Sequence, residues 1–326
     1  MKNVAMIFSG YGTQKTGMGK GFYDRSVAVK TIFEQASDIT RLDIKRICFE
    51  NAYCKGVDIS RLQPALVTVG YSQFISLQES LDVPFSNGLV NIMAGHSLGQ
   101  STAMIAAGSL SFEQGVEIVK KRSKLVKESI KKGAGLVAVK SKSYSDIPLS
   151  QRLSEYLVAC NVHLACENSR HQLTFGGYDE DLGRFMKDLK KKEGDYVKAV
   201  KLPIDVPSHT PLLSEVVVRL KELIPTNPFV APWTGLIANT TANVIHTPDE
   251  FLQEFYDSLT KPVRWRESVE LIEAFRADVL IEFGAKPVLK SFFRGNSQEI
   301  LAVHDVESLE KTVGRLKELG FKDNIK

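Results

Sequence analysis

The sequence lacks the features that mark membrane, secreted and metal-clustered proteins. None of its apolar runs approaches the roughly 18 residues that a transmembrane helix needs, and Met1–Val4 leads into a strand-like segment instead of a signal peptide. Its cysteines, Cys48, Cys54, Cys160 and Cys166, show neither the close pairing of a zinc site nor the density of a disulfide framework. We therefore expect a cytoplasmic protein with reduced cysteines, no metal site and no membrane contact.

A strong net charge is also missing, which argues against nucleic acid as a partner. The formal charge is +4, and no aromatic residues alternate with the basic ones to stack on bases. Two lysine clusters are interpreted either as solvated helix faces or as a modest basic surface for an acidic protein or an anionic ligand. They comprise Lys120, Lys121, Lys124, Lys127, Lys131 and Lys132, and then Lys190, Lys191 and Lys192.

Length and composition allow a sizeable core. The 326 residues are 43% hydrophobic and 25% charged, which suits one large α/β domain or two ordinary ones. Short apolar runs that end in glycine or polar residues predict buried strands, and apolar residues at helical spacing predict helices. The predicted strands of the main unit are Ala5–Phe8, Leu89–Ala94 and Asp278–Phe283, and its helices include Ile32–Ala36, Gln63–Leu81 opening at Pro64, Phe112–Ile130 and Pro211–Leu223.

A second unit begins where Gly133 and Gly135 end the long helix. Strand-like and helical segments alternate from there to about Leu202, which fits a small inserted α/β subdomain. The predicted strands are Leu136–Val139, Tyr156–Cys160, Gln172–Phe175 and Tyr196–Leu202, with a helix at Leu149–Tyr156 and a lysine-rich helix before the last strand.

The pentapeptide Gly95-His96-Ser97-Leu98-Gly99 lies between a predicted strand and a helix of small residues. Gly-x-Ser-x-Gly in this context is typical of a tight turn that exposes the serine hydroxyl and points helix amides at the reacting oxygen. We interpret Ser97 as a nucleophile that forms an acyl ester. The alternative is a serine that only caps a helix.

A serine hydroxyl is a weak nucleophile unless a base takes its proton, so one of the six histidines should reach Ser97. His96 is interpreted as structural because it lies inside the turn. His209 follows a kinked Val206-Pro207-Ser208 segment that would hold an imidazole rigidly, yet pattern alone leaves the choice open. The others, which have no distinctive neighbours, are His163, His171, His246 and His304.

Motifs along nearly the whole chain resemble those of the malonyl-CoA:acyl-carrier-protein transacylase family, which includes stand-alone acyltransferases of polyketide synthases. The resemblance rests on the opening loop, the serine turn, an arginine 25 residues after that serine, and several later anchors. In chain order these are Phe8–Gln14 with Gly17–Gly19, Gln63–Ala65, Gly95–Gln100, Lys121–Ser123, Gly135–Val139, Asn168 with Gln172, Val206–His209, Asn239, Lys261–Trp265, and Ile281–Lys286 with Val288–Leu289.

The resemblance implies an α/β fold in which a hydrolase-like parallel-sheet subdomain is interrupted by a small ferredoxin-like subdomain. The large subdomain would comprise residues 1–132 and 203–326, the small one residues 133–202, with the active site between them. The resemblance also selects His209 as the base for Ser97. It assigns the oxyanion hole to the backbone amides of Tyr11 and Leu98, and the carbonyl that orients the histidine to the segment around Ser258.

Arg122 would be the specificity residue. An arginine on a lysine-rich helix is by itself most simply a surface charge, but the family register makes it the clamp for a carboxylate. Asn168, Gln63 and Ser258 are expected to contribute to the pocket. The resemblance therefore implies a monomeric enzyme that takes malonyl-type acyl-CoA, binds no cofactor of its own, and passes the acyl group to the phosphopantetheine of an acyl carrier protein.

Four positions depart from the family pattern. Ser9 replaces proline, Tyr11 and Ser258 replace glutamine, and Gln100 replaces glutamate. Since the implied oxyanion donors and orienting carbonyl are main-chain groups, these changes put the acyl group and the acceptor in question more than catalysis. The alternatives are an acyltransferase-like hydrolase, in which water removes the acyl group, and a catalytically silent carrier-protein docking module.

Overall fold

The computed structural model describes residues 3–50, 58–130, 133–142, 149–153, 160–224, 226–293 and 298–321. Its helices are α1 (Lys20–Arg25), α2 (Val27–Thr40), α3 (Ile44–Phe49), α4 (Ile59–Leu81), α5 (Leu98–Ala106), α6 (Phe112–Ser129), α7 (Leu149–Arg152), α8 (Asp179–Glu193), α9 (Ser214–Leu223), α10 (Pro248–Thr260), α11 (Trp265–Ala274) and α12 (Val306–Glu318). Short 3-10 turns occur at Phe85–Asn87, Gly194–Tyr196, Pro211–Leu213 and Leu289–Phe292.

Ten strands in the described residues form two sheets. They are β1 (Val4–Phe8), β2 (Val90–Gly95), β3 (Ala134–Ser141), β4 (His163–Ser169), β5 (Gln172–Tyr178), β6 (Val197–Lys201), β7 (Gly235–Ile237), β8 (Val244–Ile245), β9 (Val279–Phe283) and β10 (Glu299–Val303).

The larger sheet has the order β10-β9-β1-β2-β7-β8 and is parallel except for the β7–β8 pair. Its central strands β1 and β9 are buried along their whole length, as expected for parallel strands covered on both faces by helices. The adjacent strands β1 and β2 both run toward the same edge of the sheet, where the Ser9–Gly12 loop and the Ser97 turn meet.

The smaller sheet is antiparallel, with the order β4-β5-β3-β6. Together with α7 and α8, this order is that of a ferredoxin-like unit, so the predicted fold class is confirmed. One face packs on its own core, which includes Val137, Val139, Phe175 and Phe185. The sheet lies within the predicted segment 133–202, while the domain boundaries themselves stay a prediction.

One local prediction was wrong in its start, and another can be compared with the structure at a single residue. Helix α4 begins at Ile59, more than a turn before Pro64. Proline cannot supply the amide that would bond the carbonyl four residues earlier, and Lys120 Nζ instead donates to that Ser60 carbonyl at 3.2 Å. Of the predicted strand Tyr156–Cys160, only Cys160 lies within the described residues, and it is helical; a short apolar run does not distinguish helix from strand.

Strand β4 was not predicted, because its polar residues hide the alternation. Helix α7 ends at Arg152 and Leu153 lies in a turn, while the rest of the predicted helix Leu149–Tyr156 lies outside the described residues.

Candidate active site

Ser97 lies on a strained turn between β2 and α5. Its backbone has φ 54° and ψ −116°, which is unusual for a residue with a side chain. A Cβ on Gly95 would lie 2.1 Å from the carbonyl carbon of Gly99, and a Cβ on Gly99 would lie 2.0 Å from the carbonyl oxygen of Phe8. Neither position can therefore accept a side chain. Although Ser97 is at the N-cap position, its hydroxyl makes no capping hydrogen bond.

The Ser97 hydroxyl is instead hydrogen-bonded to His209. Ser97 Oγ and His209 Nε2 are 2.7 Å apart, and His209 Nδ1 lies 2.5 Å from the carbonyl oxygen of Ser258. A carbonyl can only accept, so Nδ1 carries the proton and Nε2 is left to accept from the serine. The orienting carbonyl is available because Lys261, which precedes Pro262, is extended and ends α10.

His209 is held in a buried, electropositive setting that keeps it neutral. Burial is the main cause that lowers its pKa to about 3, and the neighbouring His96 and Arg122 act in the same direction. Its backbone has φ 64°, a left-handed conformation that surrounding contacts must maintain. One such contact is the hydrogen bond that Thr210 Oγ1 donates to the Pro207 carbonyl at 2.6 Å.

Two backbone segments converge beside Ser97. Leu98 is the first residue of α5, so its amide has no acceptor within the helix. The loop after β1 lies close against this turn, since a Cβ on Gly10 would be 2.7 Å from the His96 carbonyl oxygen and 3.2 Å from Leu98 Cβ. Tyr11 follows Gly10 directly, and both Tyr11 and Leu98 line the same cavity as Ser97.

Arg122 projects from α6 into this cavity and is only 8% exposed. Its guanidinium lies 3.5 Å from Gln63 Oε1 and 5.7 Å from the centre of the Phe255 ring. Within the described parts of the chain, no carboxylate pairs with it. Burial lowers the pKa of Arg122 to about 10, so the side chain is a cation at neutral pH and presents a desolvated positive charge to the cavity.

All eight residues singled out from the sequence line one cavity of about 250 Å³: Tyr11, Gln63, Ser97, Leu98, Arg122, Asn168, His209 and Ser258. The small sheet supplies one wall through residues such as Leu136, Ala138 and Thr174. Asn168 Oδ1 is 2.7 Å from His96 Nε2, and the His96 ring meets Trp265 edge-on at 5.3 Å. His96 thus connects the serine turn to the small sheet, in keeping with its interpretation as structural.

Sequence reasoning named Asn239 and Gln100 only as family positions, and it missed the buried polar network that joins them to Glu254 behind Ser97. Asn239 Oδ1 accepts from the Ser97 amide at 2.8 Å, and its Nδ2 donates to the Gly95 carbonyl at 2.6 Å. The Glu254 carboxylate in turn accepts from the Asn239 amide at 2.8 Å and from Gln100 Nε2 at 2.9 Å. A charged residue on the apolar face of a helix, between Phe251 and Phe255, was the available signal for Glu254.

In the described residues, no group of three or more histidine, cysteine or acidic side chains is arranged to hold a metal ion. No described helix has the length and apolar character needed to cross a membrane.

Residues 5–319 match the family described as acyl transferase domain. Among the similar proteins is the malonyl CoA-acyl carrier protein transacylase of Bacillus subtilis strain 168, 28% identical over 321 residues that cover 98% of both chains. The solved transacylase of that name from Clostridium perfringens superposes with a TM-score of 0.86 at 26% identity, covering 99% of this chain and 100% of the other. A malonyl-transacylase solved with a type II polyketide synthase acyl-carrier protein has a TM-score of 0.86 at 26% identity, with 96% and 99% coverage.

Proposed function

The chain belongs to the acyl transferase domain family, and we propose that it moves a malonyl group from coenzyme A through an ester on Ser97 to an acyl carrier protein. The setting would be fatty-acid or polyketide synthesis, and one solved relative is bound to the acyl-carrier protein of a type II polyketide synthase. One observation carries the proposal: the Ser97–His209 hydrogen bond of 2.7 Å lies in the same cavity as the buried cation of Arg122.

In the first half-reaction, Ser97 Oγ attacks the thioester carbonyl carbon while His209 Nε2 takes the hydroxyl proton. The carbonyl oxygen becomes an oxyanion that accepts hydrogen bonds from the amides of Tyr11 and Leu98, each typically worth a factor of about 10²–10³ in rate. The C–S bond then breaks, and the imidazolium returns its proton to the thiolate of coenzyme A. The product is the acyl ester of Ser97.

In the second half-reaction, the phosphopantetheine thiol of the carrier protein gives its proton to His209 Nε2, and its sulfur attacks the ester carbonyl. The C–Oγ bond breaks and Ser97 recovers the proton. The chemistry is thermoneutral exchange of one thioester for another, so we propose that the enzyme needs no bound cofactor of its own. The phosphopantetheine arrives on the partner.

The malonyl preference is supported by Arg122. A buried guanidinium is costly unless an anion neutralises it, and the free carboxylate of a malonyl group offers two oxygens at the spacing of the arginine fork. Gln63 Oε1 and the Phe255 ring limit the orientations available to the guanidinium. We further propose that the protein acts as a monomer in the cytoplasm, where acyl-CoA and carrier proteins are both present.

The decisive experiment follows the mass of the intact protein after separate incubation with malonyl-CoA and acetyl-CoA. The expected result is a stable malonyl adduct on Ser97, followed by transfer to added phosphopantetheinylated carrier protein and recovery of the unmodified mass. Rapid loss of the adduct to water without carrier would instead identify an acyltransferase-like hydrolase. Absence of any adduct on Ser97 would leave only a docking role and would overturn the proposal.

A further inference from the structure

A buried carboxylate that has no part in the proposed chemistry lies behind the serine turn. Glu254 is 3% exposed on α10, and in the described residues no lysine or arginine pairs with it. Its Oε1 accepts from the amides of Asn239 at 2.8 Å and Thr240 at 3.2 Å, and from Gln100 Nε2 at 2.9 Å. Its Oε2 accepts from the Thr240 hydroxyl. Burying such a group is expensive, so a full set of donors is needed to hold it there.

The donors connect this carboxylate to Ser97. The Asn239 side chain accepts from the Ser97 amide at 2.8 Å and donates to the Gly95 carbonyl at 2.6 Å, so it bridges the strained turn from end to end. Gln100, three residues after Ser97, belongs to the first turn of α5. Glu254 therefore fixes both the bridge across the turn and the helix that leaves it.

We propose that Glu254 is a positioning residue for Ser97, which holds the serine in its strained conformation by fixing Asn239 and Gln100. A residue at φ 54° persists only where its surroundings over-determine it. The role depends on the reach of the carboxylate oxygens and not on their charge. It rests on the proposed function only in taking Ser97 as the nucleophile.

Helix α10, which carries Glu254, also contacts the other two groups of the site. One turn after Glu254, the carbonyl of Ser258 accepts from His209 Nδ1, and the Phe255 ring lies against the Arg122 guanidinium. One helix thus supports the nucleophile, the base and the cation. A shift of α10 would change all three, whereas retraction of the carboxylate alone would affect Ser97.

Two substitutions of Glu254 separate the reach of its carboxylate oxygens from their charge. Glu254→Asp keeps the charge but withdraws the oxygens by about 1.5 Å, which is too far for both the Asn239 amide and Gln100. Glu254→Gln loses the charge but keeps an oxygen in place for Asn239, Thr240 and Gln100, while its amide can donate to a rotated Thr240 hydroxyl. Glu282 provides the matched control. It is 1% exposed and accepts from the amides of Val288, Leu289 and Lys290 at 2.7–2.8 Å, none of which belongs to the serine turn.

The probe is an alkyl fluorophosphonate, which phosphonylates an activated serine with loss of fluoride and needs no malonyl group. Its second-order rate with Ser97, followed by intact-protein mass, should fall about 10–100-fold in Glu254→Asp, as expected for a small misplacement of a nucleophile. Glu254→Gln and the control Glu282→Asp should stay within about threefold of the unsubstituted protein, since neither moves Ser97. Thermal unfolding is measured in parallel for all variants.

Equal slowing in Glu254→Asp and Glu282→Asp would mean that any buried carboxylate matters in the same way, and would overturn the inference. Slowing in Glu254→Gln but not in Glu254→Asp would make charge the operative property and would also overturn it. If malonyl-CoA fails to load Ser97 while the fluorophosphonate rates follow the expected pattern, the proposed function fails and the role of Glu254 stands.

Discussion

The two sheets contribute to the cavity in different ways. The parallel sheet supplies the proposed reactive groups from loops at the ends of buried strands: Tyr11 follows β1, Ser97 follows β2, and both loops are fixed by close backbone contact. The antiparallel sheet supplies a wall, because alternate residues of β3 and β5 face the cavity while their neighbours enter its own core. The proposed reactive groups thus lie on rigid turns. The shape of the cavity is set by side chains on the face of a sheet, where single residues can be changed.

The small sheet is nevertheless hydrogen-bonded to the segment around the start of α11, outside its own unit. The Glu167 amide donates to the Val263 carbonyl at 2.8 Å and the Val263 amide to the Ala165 carbonyl at 2.9 Å, so β4 is bonded to the segment before α11. Arg266 Nε adds a hydrogen bond to Glu167 Oε1 at 3.0 Å. Because these bonds hold β4 in place, substitutions on the wall should change recognition without dismantling the Ser97–His209 pair.

The largest effect should follow from loss of the base in the larger region. His209→Ala should lower the rate of malonyl loading on Ser97 by at least about 10⁴-fold, since the serine hydroxyl then has no group to take its proton. The matched control is His163→Ala, on β4 of the small sheet, which should load at close to the normal rate. Similar losses in both variants would remove the distinction between the two regions. Quenched-flow mass spectrometry gives both rates.

Arg122→Ala should have the next largest effect, and a selective one. Malonyl loading should fall about 10²–10³-fold, because the substrate carboxylate would be buried without a cation, while acetyl loading should not fall. The neighbouring Lys121 is only partly buried and pairs with Glu117 at 2.8 Å, so Lys121→Ala is a suitable control and should load both groups normally. Equal losses with malonyl-CoA and acetyl-CoA would show that Arg122 supports the fold and does not select the substrate.

A substitution on the small-sheet wall of the cavity should have a smaller effect on malonyl loading. Asn168→Ala removes the acceptor of His96 Nε2 and an amide that lines the cavity, so the apparent KM for malonyl-CoA should rise about tenfold with kcat less affected. Ser169→Ala, one residue further along β4, is the matched control and should leave the KM unchanged. A loss confined to kcat would instead place Asn168 with the reactive groups of the larger region.

The same contrast between the sheets governed what the sequence could predict. Strand β1 is a continuous apolar run, and β2 and β9 are each interrupted by a single polar residue, Asn91 and Glu282 respectively. Buried parallel strands were therefore evident from the residues alone. Strand β4 carries Glu167, Asn168 and Ser169 because its residues face the cavity and the larger subdomain. Because polar residues serve these contacts, β4 lacks the alternation of apolar and polar residues on which strand prediction relies.

The site was predictable where a role follows from a short motif, and obscure where it follows from distant contacts. The glycines beside Ser97 are dictated by local sterics, so the turn could be predicted from five residues. Asn239 acts on Ser97 across 142 residues of sequence, and Glu254 acts through Asn239. No periodicity expresses such a relation, because the chain must fold before these polar groups meet.

The dependence of malonyl loading on pH, on the acid side, tests the burial of His209. Burial lowers the pKa of His209 to about 3, so its Nε2 stays unprotonated as pH falls below the usual histidine value of about 6.5. We expect kcat/KM for malonyl loading to remain nearly constant from about pH 8 to about pH 5, since this ratio reports the free enzyme. An acid limb centred near about pH 6.5 would mean that water reaches the imidazole.

The free energy of unfolding, unlike the loading rate, should fall as the pH drops below about 6.5. In the unfolded chain His209 takes up a proton near its ordinary pKa of about 6.5, while the folded protein resists protonation down to about pH 3. The contribution of neutral His209 is therefore fully present above about pH 6.5 and is lost progressively as pH falls. Differential scanning calorimetry should show a decline in Tm below that pH while the loading rate per folded molecule persists.

The smallest effect should come from Ser258→Ala, although this residue touches the base. The group that orients His209 is the Ser258 carbonyl, whereas the hydroxyl donates to the Phe255 carbonyl within α10 at 2.9 Å. Removing the hydroxyl leaves the main-chain acceptor and should change malonyl loading by no more than about twofold. Pro262→Ala is the informative companion, because it relaxes the extended Lys261 that ends the helix and lets α10 compete for that carbonyl. A greater loss in Ser258→Ala than in Pro262→Ala would mean that the side chain, not the helix end, holds the imidazole.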